Sequence, residues 1–105
     1  MAKAKFTLNP TPTFKVTVEI PRPGAEAGEI EFVFKHRTRD QFKGLVDSMA
    51  DKKDVELVMD VASGWNLDDP FDAEHVELLL QNYFVSGGTI VSAYLRELTA
   101  GKLGN

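Results

Sequence analysis

The side chains best suited to chemistry in this sequence are two histidines, His36 and His75, and an acidic run, Asp68, Asp69, Asp72 and Glu74. A zinc hydrolase would show a His-Glu-x-x-His pair on one helix face, with the glutamate serving as base. Neither histidine belongs to such a pair. A calcium loop of the EF-hand type needs oxygen ligands at alternate positions, a central glycine and a distal glutamate. The acidic run puts Pro70 and Phe71 where ligands and the turn glycine would stand. Asp72 and Glu74 read more simply as helix-capping and first-turn acids. Acyl transfer is equally unsupported. The chain has no cysteine, which removes thiolate nucleophiles, thiolate metal sites and disulfides together. Ser63-Gly64 follows a predicted helix, whereas a Gly-x-Ser-x-Gly elbow follows a strand. Gly87-Gly88 offers backbone N–H groups to an anion but lacks the lysine of a phosphate loop. The sequence therefore assigns no catalytic residue, no cofactor and no metal, and a non-enzyme is expected.

Composition narrows the partners. A chain of 105 residues with 43% hydrophobic and 27% charged residues suits one soluble domain with a modest core. The net charge is −4, from 16 acidic and 12 basic residues. Binding to a phosphate backbone draws on clustered Lys and Arg. The densest basic stretch, Lys35-His-Arg37-Thr-Arg39, ends at once in Asp40 and reads as a solvated strand-to-helix junction. Nucleic acid is not expected as a partner. No apolar run reaches the ~20 residues that cross a bilayer, so neither is a membrane. The stretch from Met1 to Pro10 is too short and polar for a signal-peptide core.

The elements follow from periodicity. Residues 1–12 are expected to be a flexible arm, since Pro10 and Pro12 lack the N–H that a ladder needs, although Phe6 and Leu8 could dock on the domain. Phe14, Val16, Val18 and Ile20 alternate with Lys15, Thr17 and Glu19, and after Pro21-Arg-Pro-Gly24 the alternation resumes at Ile30, Phe32 and Phe34. Period two on both sides of a turn predicts a β-hairpin with one apolar face. Thr38-Arg-Asp-Gln41 has the form of a capping box, and Phe42, Leu45, Val46 and Met49 make the stripe of a helix at about 39–50. A second helix begins near Asp51 or Asp54, carries Val55, Val58, Met59 and Ala62, and is expected to stop at Ser63-Gly64 with Gly64 left-handed. A third, about 73–84, has Asp72 as N-cap and Val76, Leu79, Leu80 and Tyr83 as stripe. Ser86-Gly-Gly88 is read as a break, and a fourth helix at about 88–100 carries Ile90, Val91, Tyr94, Leu95 and Leu98 before Gly101. Strands segregated from helices predict an α+β fold: an N-terminal β-hairpin packed against about four short helices, residues 13–105 forming a single domain.

Some apolar side chains miss these stripes. On a helical wheel Leu57 and Val61 lie opposite Val55 and Met59, Leu78 is off the stripe of the third helix, and Val33 points off the apolar face of its strand. Either the helices are sandwiched and bury two sides, or Leu57, Val61 and Leu78 form a surface for a partner helix. Trp65, the only tryptophan, either anchors its loop on the core or joins that surface.

Three segments resemble the tail assembly chaperones of lambda-like long-tailed bacteriophages. They are Phe34-Lys-His-Arg-Thr38 leading into a helix with Phe42; Asp54 to Trp65-Asn, with its Gly-Trp step before an acidic loop; and Leu79-Leu-Gln-Asn-Tyr83, a small-residue break, then Ile90 to Leu98. The likeness spans residues 13–105 and departs at Phe84-Val85, where such proteins more often carry proline or small residues. It implies a non-catalytic protein that binds the phage tape measure protein and keeps it soluble in the host bacterial cytoplasm, and that is absent from the mature virion. The partner-binding residues would be Leu57, Val61, Leu78 and Trp65. The resemblance also implies several copies per client, with self-association to a homo-oligomer, and a longer frameshifted form that engages the tail tube protein. Gly101-Lys102 suits a slippery heptamer for that frameshift. The alternative is a structural minor tail protein retained in the virion; the short hairpin and the helical C-terminal half favour the chaperone.

Overall fold

A computed structural model describes residues 5–100. Strand β1 (Thr13–Arg22) and strand β2 (Ala25–Lys35) form the expected antiparallel hairpin, in a register that sets Phe14 against Phe34 and Val18 against Ile30. Its turn contains Gly24 at φ +69, a left-handed conformation that costs an L side chain about 1 kcal/mol and glycine nothing. Alternation does its work here. Val18, Ile20, Ile30, Phe32 and Phe34 are all buried on one face, while Lys15, Thr17, Glu19 and Glu29 face water.

The helices cover that face. Helix α1 (Arg39–Ser48) starts on the predicted capping box: the Gln41 N–H donates to Thr38 Oγ1 at 3.2 Å, and the Thr38 N–H donates to Gln41 Oε1 at 2.9 Å. It ends two residues earlier than expected and passes into one tight 3₁₀ turn, Met49–Asp51. Val46 was placed on its apolar stripe but is exposed; only Leu45 of this helix is buried. Helix α2 (Asp54–Val61), helix α3 (Ala73–Asn82) and helix α4 (Ser86–Thr99) complete the layer.

Between α2 and α3 the chain departs from the expected pattern. The chain does not run helical to Ser63-Gly64. It leaves the helix after Val61 and forms a third strand, β3 (Ala62–Trp65), on the free side of β2, giving the sheet order β1-β2-β3. Gly64 is not left-handed. It lies opposite Val33, whose side chain would stand 3.7 Å from a Cβ there, an ordinary van der Waals contact, so packing space does not demand glycine at this position. The second correction concerns Ser86-Gly-Gly88, which is not a break but the first turn of α4. A Cβ on Gly87 would sit 3.2 Å from Asp54 Cβ and 3.3 Å from Leu80 Cδ2, so glycine lets α4 start pressed against α2 and α3. Helix α3 accordingly ends at Asn82 and α4 at Thr99; Gly101, read as its stop, and Gly101-Lys102 lie outside the described residues. The fold class stands as α+β, with three strands rather than two.

Tyr94 closes the core. Its ring is fully buried, edge-on to Phe34 at 5.3 Å and stacked on Phe14 at 6.2 Å. Its hydroxyl donates to the Lys35 carbonyl at 2.7 Å and accepts from the Arg37 guanidinium at 3.0 Å. Arg37 also donates to the Asp60 carbonyl at 2.9 Å, and Lys35 Nζ to the Met59 carbonyl at 3.2 Å. These carbonyls belong to the last turn of α2, where the helix leaves acceptors unsatisfied and the dipole favours cations. Lys35 and Arg37 are therefore half-buried and hold the C-terminal end of α2, so this part of the basic stretch is not a merely solvated junction, while Arg39 is exposed.

Candidate protein-binding surface

Trp65 ends β3, and its ring bridges the sheet and the loop that follows. It lies 6.2 Å from the ring of Phe32 and 5.1 Å from that of Phe71, edge-on to the latter, while its Nε1–H donates to the Asp69 carbonyl at 2.8 Å. A large ring held on two sides and at its polar tip is a fixed wall rather than a mobile side chain. The Asn66 side chain pins the start of the same loop, its Oδ1 accepting the Glu31 N–H at 2.9 Å while its own backbone N–H donates to the Glu31 carbonyl at 3.0 Å.

Across from that wall runs α3. Asp72 is its N-cap as predicted, its Oδ1 accepting the His75 N–H at 2.8 Å and meeting His75 Nδ1 at 2.7 Å. The His75 N–H holds the Asp72 carboxyl below its usual range, and hydrogen bonding to that carboxylate raises the His75 imidazole above its own. Asp72, Glu74 and His75 bring potential metal-ligand atoms within 4.8 Å of one another. The cap already engages both Asp72 and His75, which accounts for the arrangement.

Between the two elements lies a hollow of about 220 Å³ lined by Trp65, Leu67, His75, Leu78, Leu79 and Tyr83. Leu78 stands on its rim, 60% exposed, and Leu67 is also exposed. An apolar depression with an exposed leucine beside a rigid indole has the form of a socket for side chains of another polypeptide. It is small against the ~300–1,000 Å³ of drug-sized ligand pockets, and its apolar lining suits side-chain anchors.

The structure thus unites two of the four residues singled out from the sequence, Trp65 and Leu78. It does not unite the others. Val61 is 0% exposed and belongs to the core, so its assignment to a surface is corrected. The reason is that α2 is touched by β3, α3 and α4, so its buried arc is wider than the single stripe read from its periodicity. Leu57 is half-buried against the same core, away from the hollow. The sequence gives no sign of Leu67, a lone leucine in an acidic loop, and marks Phe84-Val85 only as a departure from the family pattern, not as an exposed apolar pair; Phe84 is 91% exposed.

Comparison with protein families places this architecture. The model of the phage tail assembly chaperone family matches residues 1–105, the whole length of the chain. The chain belongs to that family. Comparison with curated proteins and with solved structures gives no match. Membership agrees with what the side chains offer: fixed aromatic walls and exposed leucines on a small α+β chaperone. No helix among the described residues is long and apolar enough to cross a membrane.

Proposed function

We propose that this chaperone binds the tape measure protein of a long-tailed phage and keeps it soluble until tube subunits assemble around it. The observation that carries the reading is the apolar hollow between Trp65 and α3, rimmed by Leu78 and Leu67. A long helical client exposes apolar residues at i, i+3, i+4 and i+7, and a small socket beside exposed leucines receives one or two such anchors at a time. Each contact is small, so one chaperone grips weakly and many copies along a client cover it reversibly. Reversibility is what assembly requires, because polymerising tube subunits must displace the chaperone. The role needs no chemistry, and the protein acts as a binding module in the host bacterial cytoplasm, released before the virion is complete.

Co-expression of the chain with the tape measure protein tests this. The client is expected to remain soluble and to co-purify with the wild-type chain, and to precipitate when the chain is absent or carries Leu78→Asp. A client equally soluble with and without the chain contradicts the reading. Mass spectrometry of purified virions adds a second readout: abundant recovery of the chain would identify it as a structural tail component instead.

A further inference from the structure

A second feature lies between β1 and α4 and shares no lining residue with the Trp65–Leu78 hollow. The strand β1 is an edge of the sheet. The His36 N–H donates to the Pro12 carbonyl at 2.9 Å, and in the register that follows, the even-numbered residues of β1 turn their backbone groups toward β2. The odd-numbered ones, including Thr17 and Glu19, turn theirs to the free edge, where no other backbone group of the described residues pairs with them. Beside this edge runs an open groove of about 970 Å³, bounded by Glu19 and Glu29 of the strands, Phe84 and Val85 before α4, and Ser92 and Arg96 of α4.

Glu19 and Glu29 face each other directly across the hairpin, and like charges in that position repel. They call for a cation. Phe84 and Val85 are exposed at the other end of the groove and call for apolar cover. The chain itself carries a segment with both properties. Lys5-Phe-Thr-Leu8 alternates as a strand does, residues 1–12 contain no acid, and Phe6 and Leu8 are 87% and 92% exposed, docked on nothing in their own domain. The arm does not turn back onto its own β1. The Pro12 carbonyl is held in line with the sheet by His36, and Pro10 and Pro12 keep the residues before them extended.

We infer that the Lys5–Leu8 segment of one copy docks in the β1–α4 groove of another, adding a strand to the free edge of β1. The backbone of Thr17 and Glu19 supplies the ladder, Phe6 and Leu8 cover Phe84 and Val85, and Lys5 meets the Glu19–Glu29 pair, with Arg96 at the far wall. Each copy supplies one arm and one groove, so the contact repeats head to tail or closes as a reciprocal pair.

Sedimentation velocity of the full chain, from micromolar to millimolar concentration, tests this. Three samples are compared: wild type, an arm variant with Phe6→Asp and Leu8→Asp, and a groove variant with Glu19→Lys and Phe84→Asp. All four positions are exposed, so the fold is unaffected, as circular dichroism will verify. Wild type is expected to associate with rising concentration, and each variant to raise the dissociation constant at least tenfold, roughly the worth of one buried apolar anchor. An equimolar mixture of the two variants is expected to regain association, since it pairs an intact arm with an intact groove. A wild type that stays monomeric to millimolar concentration overturns the inference, as does a mixture that stays dissociated. A groove variant that self-associates normally but loses the client would assign the groove to the client and also overturn it.

Discussion

Introducing aspartate at Val61 and, separately, at Leu78 should give opposite results, although both residues are off-stripe apolar side chains by sequence. Val61 is 0% exposed. Val61→Asp forfeits about 1.5–3 kcal/mol of apolar burial, and an unpaired carboxylate in the core costs several kcal/mol more. A domain of this size has only about 5–15 kcal/mol in total, so the variant should be largely unfolded at neutral pH. Leu78 is 60% exposed, so the same substitution removes less than half of a leucine's burial and adds a helix-propensity cost, about 1–2 kcal/mol together. Urea unfolding followed by the fluorescence of Trp65, the only tryptophan, reads both. With a slope of about 1–3 kcal/mol per molar urea, Leu78→Asp should move the midpoint by about 1 M and keep a cooperative transition. Val61→Asp should show none. A wild-type melt for Val61→Asp, or loss of the transition in Leu78→Asp, would refute the division between core and surface.

Three further outcomes follow from the same structure. Tyr94→Phe should cost about 1–3 kcal/mol by stripping the Lys35 carbonyl and the Arg37 guanidinium of a shared partner, lowering the thermal midpoint by about 4–8 °C per kcal/mol in calorimetry. Gly87→Val should cost about 1–3 kcal/mol through overpacking against Asp54 and Leu80, measured in the same urea assay. Asp72→Asn keeps the N-cap but removes its charge, which isolates the His75 pair. The raised His75 value makes its stabilisation fully present below pH 6.5 and lost as pH rises through the folded value; the lowered Asp72 value makes its contribution present above pH 3.8 and lost below. The stability gap between wild type and Asp72→Asn should therefore be widest between those limits and narrow above them, and the His75 NMR titration should fall back toward 6.5 in the variant.

What was legible in the sequence was what is decided locally. The hairpin follows from alternation along Phe14–Ile20 and Ile30–Phe34, and the starts of α1 and α3 follow from Thr38, Gln41 and Asp72, whose bonds span three residues. The third strand was not legible, because Ala62-Ser-Gly-Trp65 has no alternation of its own. It exists through pairing with β2, and the bond that pins its end joins residues 35 apart. Gly87 misled for a related reason: glycine reads as a break locally, whereas here it admits a neighbouring helix. Val61 was misplaced because a helical wheel shows which residues share a side but not how many sides are covered. Leu78 stands out on that same wheel and Trp65 as the only tryptophan, yet Leu67 and Tyr83 complete their hollow only because β3 and α3 meet in space.

The measurement that bears most directly on the central claim is a titration of the chain with an amphipathic helical peptide from the tape measure protein, followed by Trp65 fluorescence. Wild type should show a saturable change. Leu78→Asp, still folded by its urea transition, should bind at least about tenfold more weakly, the worth of one apolar anchor. Equal affinity for wild type and Leu78→Asp would contradict the assignment of the Trp65–Leu78 hollow as the client's socket.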